Sequence, residues 1–291
     1  ADKTFFVHGG TTEKDERHLL CMVGSYNHAT GMVSKPTVAF DKIDVDDPHD
    51  NPVILIDDND YIWILVSGRG TKRKGVKLKS TEPLSIERFE IVETSEFTYP
   101  QIWNTNEGFF HFFTKYTGIR ELYFESSLDE KAWSNVQKLA GIPSGKDNRS
   151  GHYQVSNQFD NGKILGTFFN RHPNGNVDKR TDLYYVQTFD HGTSWTTVGG
   201  TSVSIPITEI GSPTRVVDYL AQSKNIYMKD MGFDKNGYPV CLYLTSSGHE
   251  PGPKNAPYEW RVTFWNGTLW HTETICTSDH NYDMGSLFLE D

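Results

Sequence analysis

The chain has 291 residues, 13% aromatic, with 25 Gly, 38 Asp and Glu against 28 Lys and Arg, and a formal net charge of −10. Frequent Gly and aromatics without long Leu/Ala/Glu/Lys stretches favour an all-β protein, and the negative charge argues against a nucleic-acid partner. No apolar run reaches the roughly 18 residues of a membrane span, and no n-region/h-region pattern stands at the start, so an export signal is expected to be absent or already removed.

Taken in order, the chain begins with an expected strand pair, Thr4–Val7 against Leu19–Val23. An Asp-rich stretch at 41–50 follows, which leaves room for a structural calcium but lacks an EF-hand pattern. Four copies of one unit then recur: an apolar strand, an Asp/Asn/Gly hairpin and a second apolar strand. The first runs 51–66 about a turn at 57–60, and the second runs 99–113 about 106–108. The third runs 153–169 about Asp160-Asn161-Gly162, and the fourth runs 226–244 about 234–237. Their spacing of roughly 50 to 75 residues is that of propeller blades with loop insertions.

Lighter strands at 122–125, 182–187 and 260–265 are expected to form the outer halves of blades. Between them, residues 188–195 fit an Asp-box: Thr188, Asp190, Gly192, Ser194 and Trp195. There the carboxylate and hydroxyls should bond the turn backbone, the Gly should take positive φ, and the Trp should pack beneath. Ser127, Asp129 and Trp133 form an eroded version. A fifth copy opens at Asp283 and stops at Asp291. The expected fold is therefore an all-β propeller of four-stranded antiparallel blades. The expectation is seven blades in full, about five of them in this chain, as a single domain over 1–291 cut at both ends.

Propeller geometry puts residues just before the first strand and just after the second on one face. Applied copy by copy, this gathers Asp47, His49, Asp50 and Arg69; Tyr99, Gln101, Lys115 and Tyr116; His152, Tyr153, Arg171 and His172; Lys229, Asp230 and His249; and Asp279, His280, Tyr282 and Asp283. His, Tyr and Arg are the types that move a proton and hold a carboxylate. His49 also suits a turn cap, and Arg180, beside Asp178 and Asp182, reads as a blade-edge ion pair. Lys72-Arg73-Lys74 reads as a solvated loop. Cys21, Cys241 and Cys276 form no CxxC motif. Cys276, His280, Cys241 and His271 are the set a zinc would use, at an irregular spacing unlike a finger. Asn148 and Asn266 begin glycosylation sequons.

Segments 47–52, 67–70, 170–175, 180–185 with the Asp-box, 250–253 and 278–283 resemble the BNR-repeat (bacterial neuraminidase repeat) propeller family, which includes ulvan lyases and related rhamnose–uronate-active enzymes. The resemblance implies a secreted or periplasmic polysaccharide lyase acting on an anionic, uronate-bearing polysaccharide by β-elimination, with no cofactor required for catalysis. It also implies Arg171 as carboxylate neutraliser, His49 as base and Tyr153 or Tyr116 as acid. Substrate would be bound by Arg69, His152, His172, Lys115, His249, His280 and Tyr282. One departure stands out: some ulvan lyases use a pair of His where this chain has His49 and Arg69. A rhamnosidase or a non-catalytic glycan-binding propeller are the alternatives. A sialidase fits less well, since only Arg69 and Arg171 are Arg on this face and no Glu–Tyr pair is evident.

Overall fold

The computed structural model describes residues 2–14, 18–117, 120–129, 131–143 and 151–290. Among them it is all-β, with short 3₁₀ turns and no α-helix. No helix among the described residues is long and apolar enough to cross a membrane. The chain divides into two compact units, Ala1–Asn104 and Thr105–Asp291.

In the first unit, β1 (Lys3–Gly10) pairs antiparallel with β2 (Leu19–Asn27), Val7 opposite Val23, as the sequence predicts. Strands β3 (Met32–Val33) and β4 (Thr37–Lys42) both pair with β2. The next sheet runs β5 (Pro52–Ile56), β6 (Ile62–Val66), β7 (Gly75–Ser80) and β8 (Phe89–Ser95), in that order. Its inner strand β6 is buried at every position while its outer strand β8 is mostly exposed. An inner strand covered on both faces needs a continuous apolar run, Ile-Trp-Ile-Leu-Val here, rather than alternation. Strand β9 (Thr98–Thr105) then leads the chain to the second unit.

That unit opens with β10 (Gly108–Tyr116), β11 (Arg120–Ser127) and β12 (Gln137–Ala140), ordered β12-β11-β10. A six-stranded sheet follows: β13 (Gln154–Phe159), β14 (Ile164–Arg171), β15 (Thr181–Thr188), β16 (Trp195–Thr196) and β17 (Ser202–Val203), with β18 (Arg215–Val217) on β15. The last sheet runs β19 (Asn225–Phe233), β20 (Pro239–Ser246), β21 (Tyr258–Trp265) and β22 (Trp270–Ser278). Phe168, Tyr185, Tyr219, Met231 and Tyr243 form the buried core of these last two sheets. Residues 279–290, where a fifth repeat copy is expected to begin, carry no strand. The sheets are the antiparallel blades of the β-propeller class.

The hairpins repeat one piece of chemistry. Asp57 accepts from the amides of Asn59 and Tyr61 at 2.9 and 2.8 Å, and Asp234 does the same for Asn236 and Tyr238. The fourth turn residue, Asp60 or Gly237, takes positive φ. Each carboxylate thus closes its own turn and sets the register of two apolar strands.

At 188–195, Asp190 accepts from Ser194 N and Oγ at 2.8 and 2.6 Å, and Thr188 Oγ1 accepts from Gly192 N at 2.9 Å. Gly192 has φ +89. Trp195 is buried, its ring 5.0 Å from that of Phe124. The sequon at Asn148 lies outside the described residues.

Candidate functional site

The second unit assembles a cationic, tyrosine-walled site around Tyr153, which precedes β13. The guanidinium of Arg120, at the start of β11, lies 4.3 Å from the Tyr153 ring centroid, and its Nη1 donates to the phenol oxygen. Arg180, between β14 and β15, approaches the same ring at 4.3 Å. It also reaches the rings of Tyr227 on β19 at 5.2 Å and Tyr282 beyond β22 at 5.6 Å. Its Nε donates to the carbonyl of Val177 at 2.8 Å, which orients the guanidinium plane. Tyr116 completes this wall, 5.8 Å from the Arg120 guanidinium.

Buried His172 packs on Tyr153 with ring centroids 4.8 Å apart. Burial, reinforced by His152 and by the charges of Arg180 and Arg120, holds its imidazole well below the usual pKa, so it stays neutral. Lys229 donates to the Asn281 carbonyl at 3.0 Å. Burial and Arg180 bring its ammonium down to about 8, against a partial opposing pull from Asp283. Tyr282 donates to Asp178 at 3.1 Å, and His280 packs 5.9 Å from the Tyr282 ring. Burial, then the Asp178 charge, push the Tyr282 phenol up to about 12 even with Arg180 opposing.

Three residues of this unit stand otherwise than the sequence leads one to expect. Arg171, expected to meet a substrate carboxylate, is buried with its Nε bonded to Asp182 Oδ2 at 2.7 Å. The bulged register of β14 and β15, Arg171 opposite Thr181, brings it beside Asp182. Arg180, expected to form an edge ion pair, instead faces three aromatic rings. His152, expected to line a subsite, is fully buried. Its Nδ1 donates to Asn170 O at 2.7 Å and its Nε2 accepts from Ile142 N at 3.1 Å, and burial lowers its pKa to about 4. Both of its ring nitrogens are thus engaged by backbone groups.

Lys115 lies 5.3 Å from the Tyr123 ring, and His249 stands 4.0 Å from Glu250. His271 stacks on Phe264, Cys241 is buried and Cys276 is exposed. Among the described residues, no three His, Cys, Asp or Glu stand together to hold a metal.

The first unit holds its own cluster. Asp47 Oδ1 accepts from His49 Nδ1 at 2.6 Å, and Asp47 Oδ2 accepts from Arg69 Nη1 and Arg73 Nη2 at 2.6 and 2.7 Å. Partial burial opposes ionisation of Asp47, but the bonds from His49, Arg73 and Arg69 outweigh it and hold the carboxyl far below its usual range. Arg69, expected to bind substrate directly, is thus engaged by Asp47. Arg73, expected in a solvated loop, reaches Asp47 and the buried Asp50. Tyr99, whose ring lies 6.5 Å from that of His49, holds a φ of +51, a strained value for a bulky residue. Arg120, Arg180 and Tyr227 were not among the expected site residues: Arg120 opens β11, a strand outside the repeated hairpins, and Tyr227 lies within β19.

A solved polysaccharide lyase, a PL25 ulvan lyase bound to GlcA(1-4)Rha3S, superposes with a TM-score of 0.77 at 19% identity, covering 93% of this chain and 68% of its own. The polysaccharide lyase Uly1 gives 0.70 at 13% identity over 100% of this chain and 73% of its own. At these identities the likeness establishes the fold. An ulvan lyase of Alteromonas sp. (strain LOR) is 22% identical over 290 residues, covering 85% of this chain. The chain spans 58% of the length of that curated relative. Residues 14–277 match the model of the BNR repeat-containing family, and the chain belongs to that family.

Proposed function

We propose that the chain serves a polysaccharide lyase that cleaves an anionic, uronate-bearing polysaccharide of the ulvan kind by β-elimination. The observation that carries this reading is the pair of guanidiniums, Arg120 and Arg180, each 4.3 Å from the ring of Tyr153. Two cations beside a phenol suit a substrate that brings a carboxylate and leaves an oxyanion. The names of the similar proteins, ulvan lyases among them, support the same chemistry.

In this reading Arg180 forks onto the uronate carboxylate, which makes the C5 proton removable. A base accepts that proton, the C5–H electrons form the C4=C5 double bond, and the C4–O bond breaks. Tyr153 gives its proton to the departing oxygen, with the Arg120 charge beside the phenol oxygen as negative charge develops there. Tyr116, Tyr227, Tyr282 and His280 wall the saccharide, and Lys229 adds a third cation. Such a polymer is extracellular, so export of the enzyme belongs to the same proposal.

The test is incubation with ulvan while following the ultraviolet absorbance of the unsaturated uronate. A rise that is lost in Arg180→Met supports elimination. Reducing ends without absorbance would point to hydrolysis, and binding without either product to a recognition module.

A further inference from the structure

The Asp47–His49 contact carries more than a helix cap. Asp47 caps the short 3₁₀ turn Pro48–Asp50 by accepting the His49 amide at 3.0 Å. Capping needs only that amide, yet the same oxygen also takes His49 Nδ1 at 2.6 Å. An ionised carboxylate only accepts, so Nδ1 carries the proton and a neutral His49 presents Nε2 as an acceptor. The other Asp47 oxygen is held by Arg69 and Arg73. Arg73 is in turn anchored to the buried Asp50, through Nε at 2.9 Å, and Lys42 holds Asp50 from beneath. The carboxylate therefore has little freedom to swing away, while the His49 side chain keeps 55% of its surface exposed. Tyr99 flanks the imidazole from β9 in its strained conformation.

We propose that Asp47 is the positioning residue of His49, fixing the Nδ1–H tautomer and aiming Nε2 at substrate, with Arg69 and Arg73 as the clamp that holds Asp47. The role of His49 as base rests on the lyase reading and on the family resemblance; its tautomer does not. In relatives that use a second His, that position is catalytic by resemblance; here Arg69 takes a supporting part instead.

The test uses the chain labelled with ¹⁵N-histidine, at a pH well above the usual imidazole pKa. Long-range ¹H–¹⁵N spectra should show His49 protonated on Nδ1 in the wild type and a mixed tautomer in Asp47→Asn. On ulvan, Asp47→Asn should lower kcat about a hundredfold or more with KM little changed. A wild-type His49 protonated on Nε2 overturns the proposal without any variant having to fold. So does an Asp47→Asn chain with unchanged tautomer and kcat. A fixed Nδ1–H tautomer with no unsaturated product from the wild type would sink the lyase reading and leave the positioning by Asp47 standing.

Discussion

Arg171 and Asp182 form a closed ion pair inside the second unit, Nε to Oδ2 at 2.7 Å, with 3% and 0% of their side-chain surfaces exposed. Asp182 also accepts from the Leu220 amide at 2.9 Å, so the pair ties β14 and β15 to the segment after β18. Removing one member strands a buried charge. Arg171→Met should therefore cost about 3–5 kcal/mol in urea unfolding. Unchanged stability with lost activity would return Arg171 to the substrate-binding role.

Arg180→Met and Tyr153→Phe should behave oppositely. Each stacking contact of Arg180 is worth about 0.5–1 kcal/mol at a partly exposed site, so the fold should survive its loss. Phe keeps the ring of Tyr153 and removes only the hydroxyl. Both variants should lower unsaturated-product formation by roughly 10²–10⁴-fold while unfolding close to the wild type. Full activity in Tyr153→Phe would remove the phenol from the proton-transfer step.

The contrast between Arg171 and Arg180 shows where sequence reading stops. Apolar runs such as 62–66 and the Asp turns at 57 and 234 are local signals, and local physics fixes hairpins and strand order. The site depends on which of two arginines, nine residues apart, turns inward. A register shift between β14 and β15 decides that, and no local pattern announces it. Arg120 was invisible for a related reason: it begins a strand beyond a short connection, and only the folded sheet carries it to Tyr153. Asp47 and His49, two residues apart within one turn, were both gathered from the first repeat copy, but the bond between their side chains was not read from the sequence.

Buried His152 makes stability depend on pH. Its folded pKa of about 4 lies below the unfolded value of 6.5. Between these values the unfolded chain takes up a proton that the folded chain refuses. The contribution is fully present above pH 6.5 and is lost as the pH falls toward 4. Its loss between pH 6.5 and 5 should be on the order of 2 kcal/mol. His172, depressed in the same direction, adds to the trend. Denaturant unfolding at pH 7 and 5 should show this slope, and His152→Gln should flatten it.

The turn at 188–195 should tolerate no Cβ at its glycine. Gly192 has φ +89, and a Cβ there would stand 2.6 Å from Phe124 Cε2. Gly192→Ala should lower stability by more than about 1 kcal/mol, read as a shift in the thermal midpoint. Activity per folded molecule should not change. A variant as stable as the wild type would mean that the turn can rearrange around the methyl group.

Arg180 touches rings from two sheets: Tyr153 precedes β13, Tyr227 belongs to β19, and Tyr282 follows β22. One side chain is thus a seam between two sheets of the second unit and, in the proposed reading, the group that meets the substrate carboxylate. Replacing its charge therefore also removes three ring contacts across that seam, each small beside the aromatic core that the two sheets share.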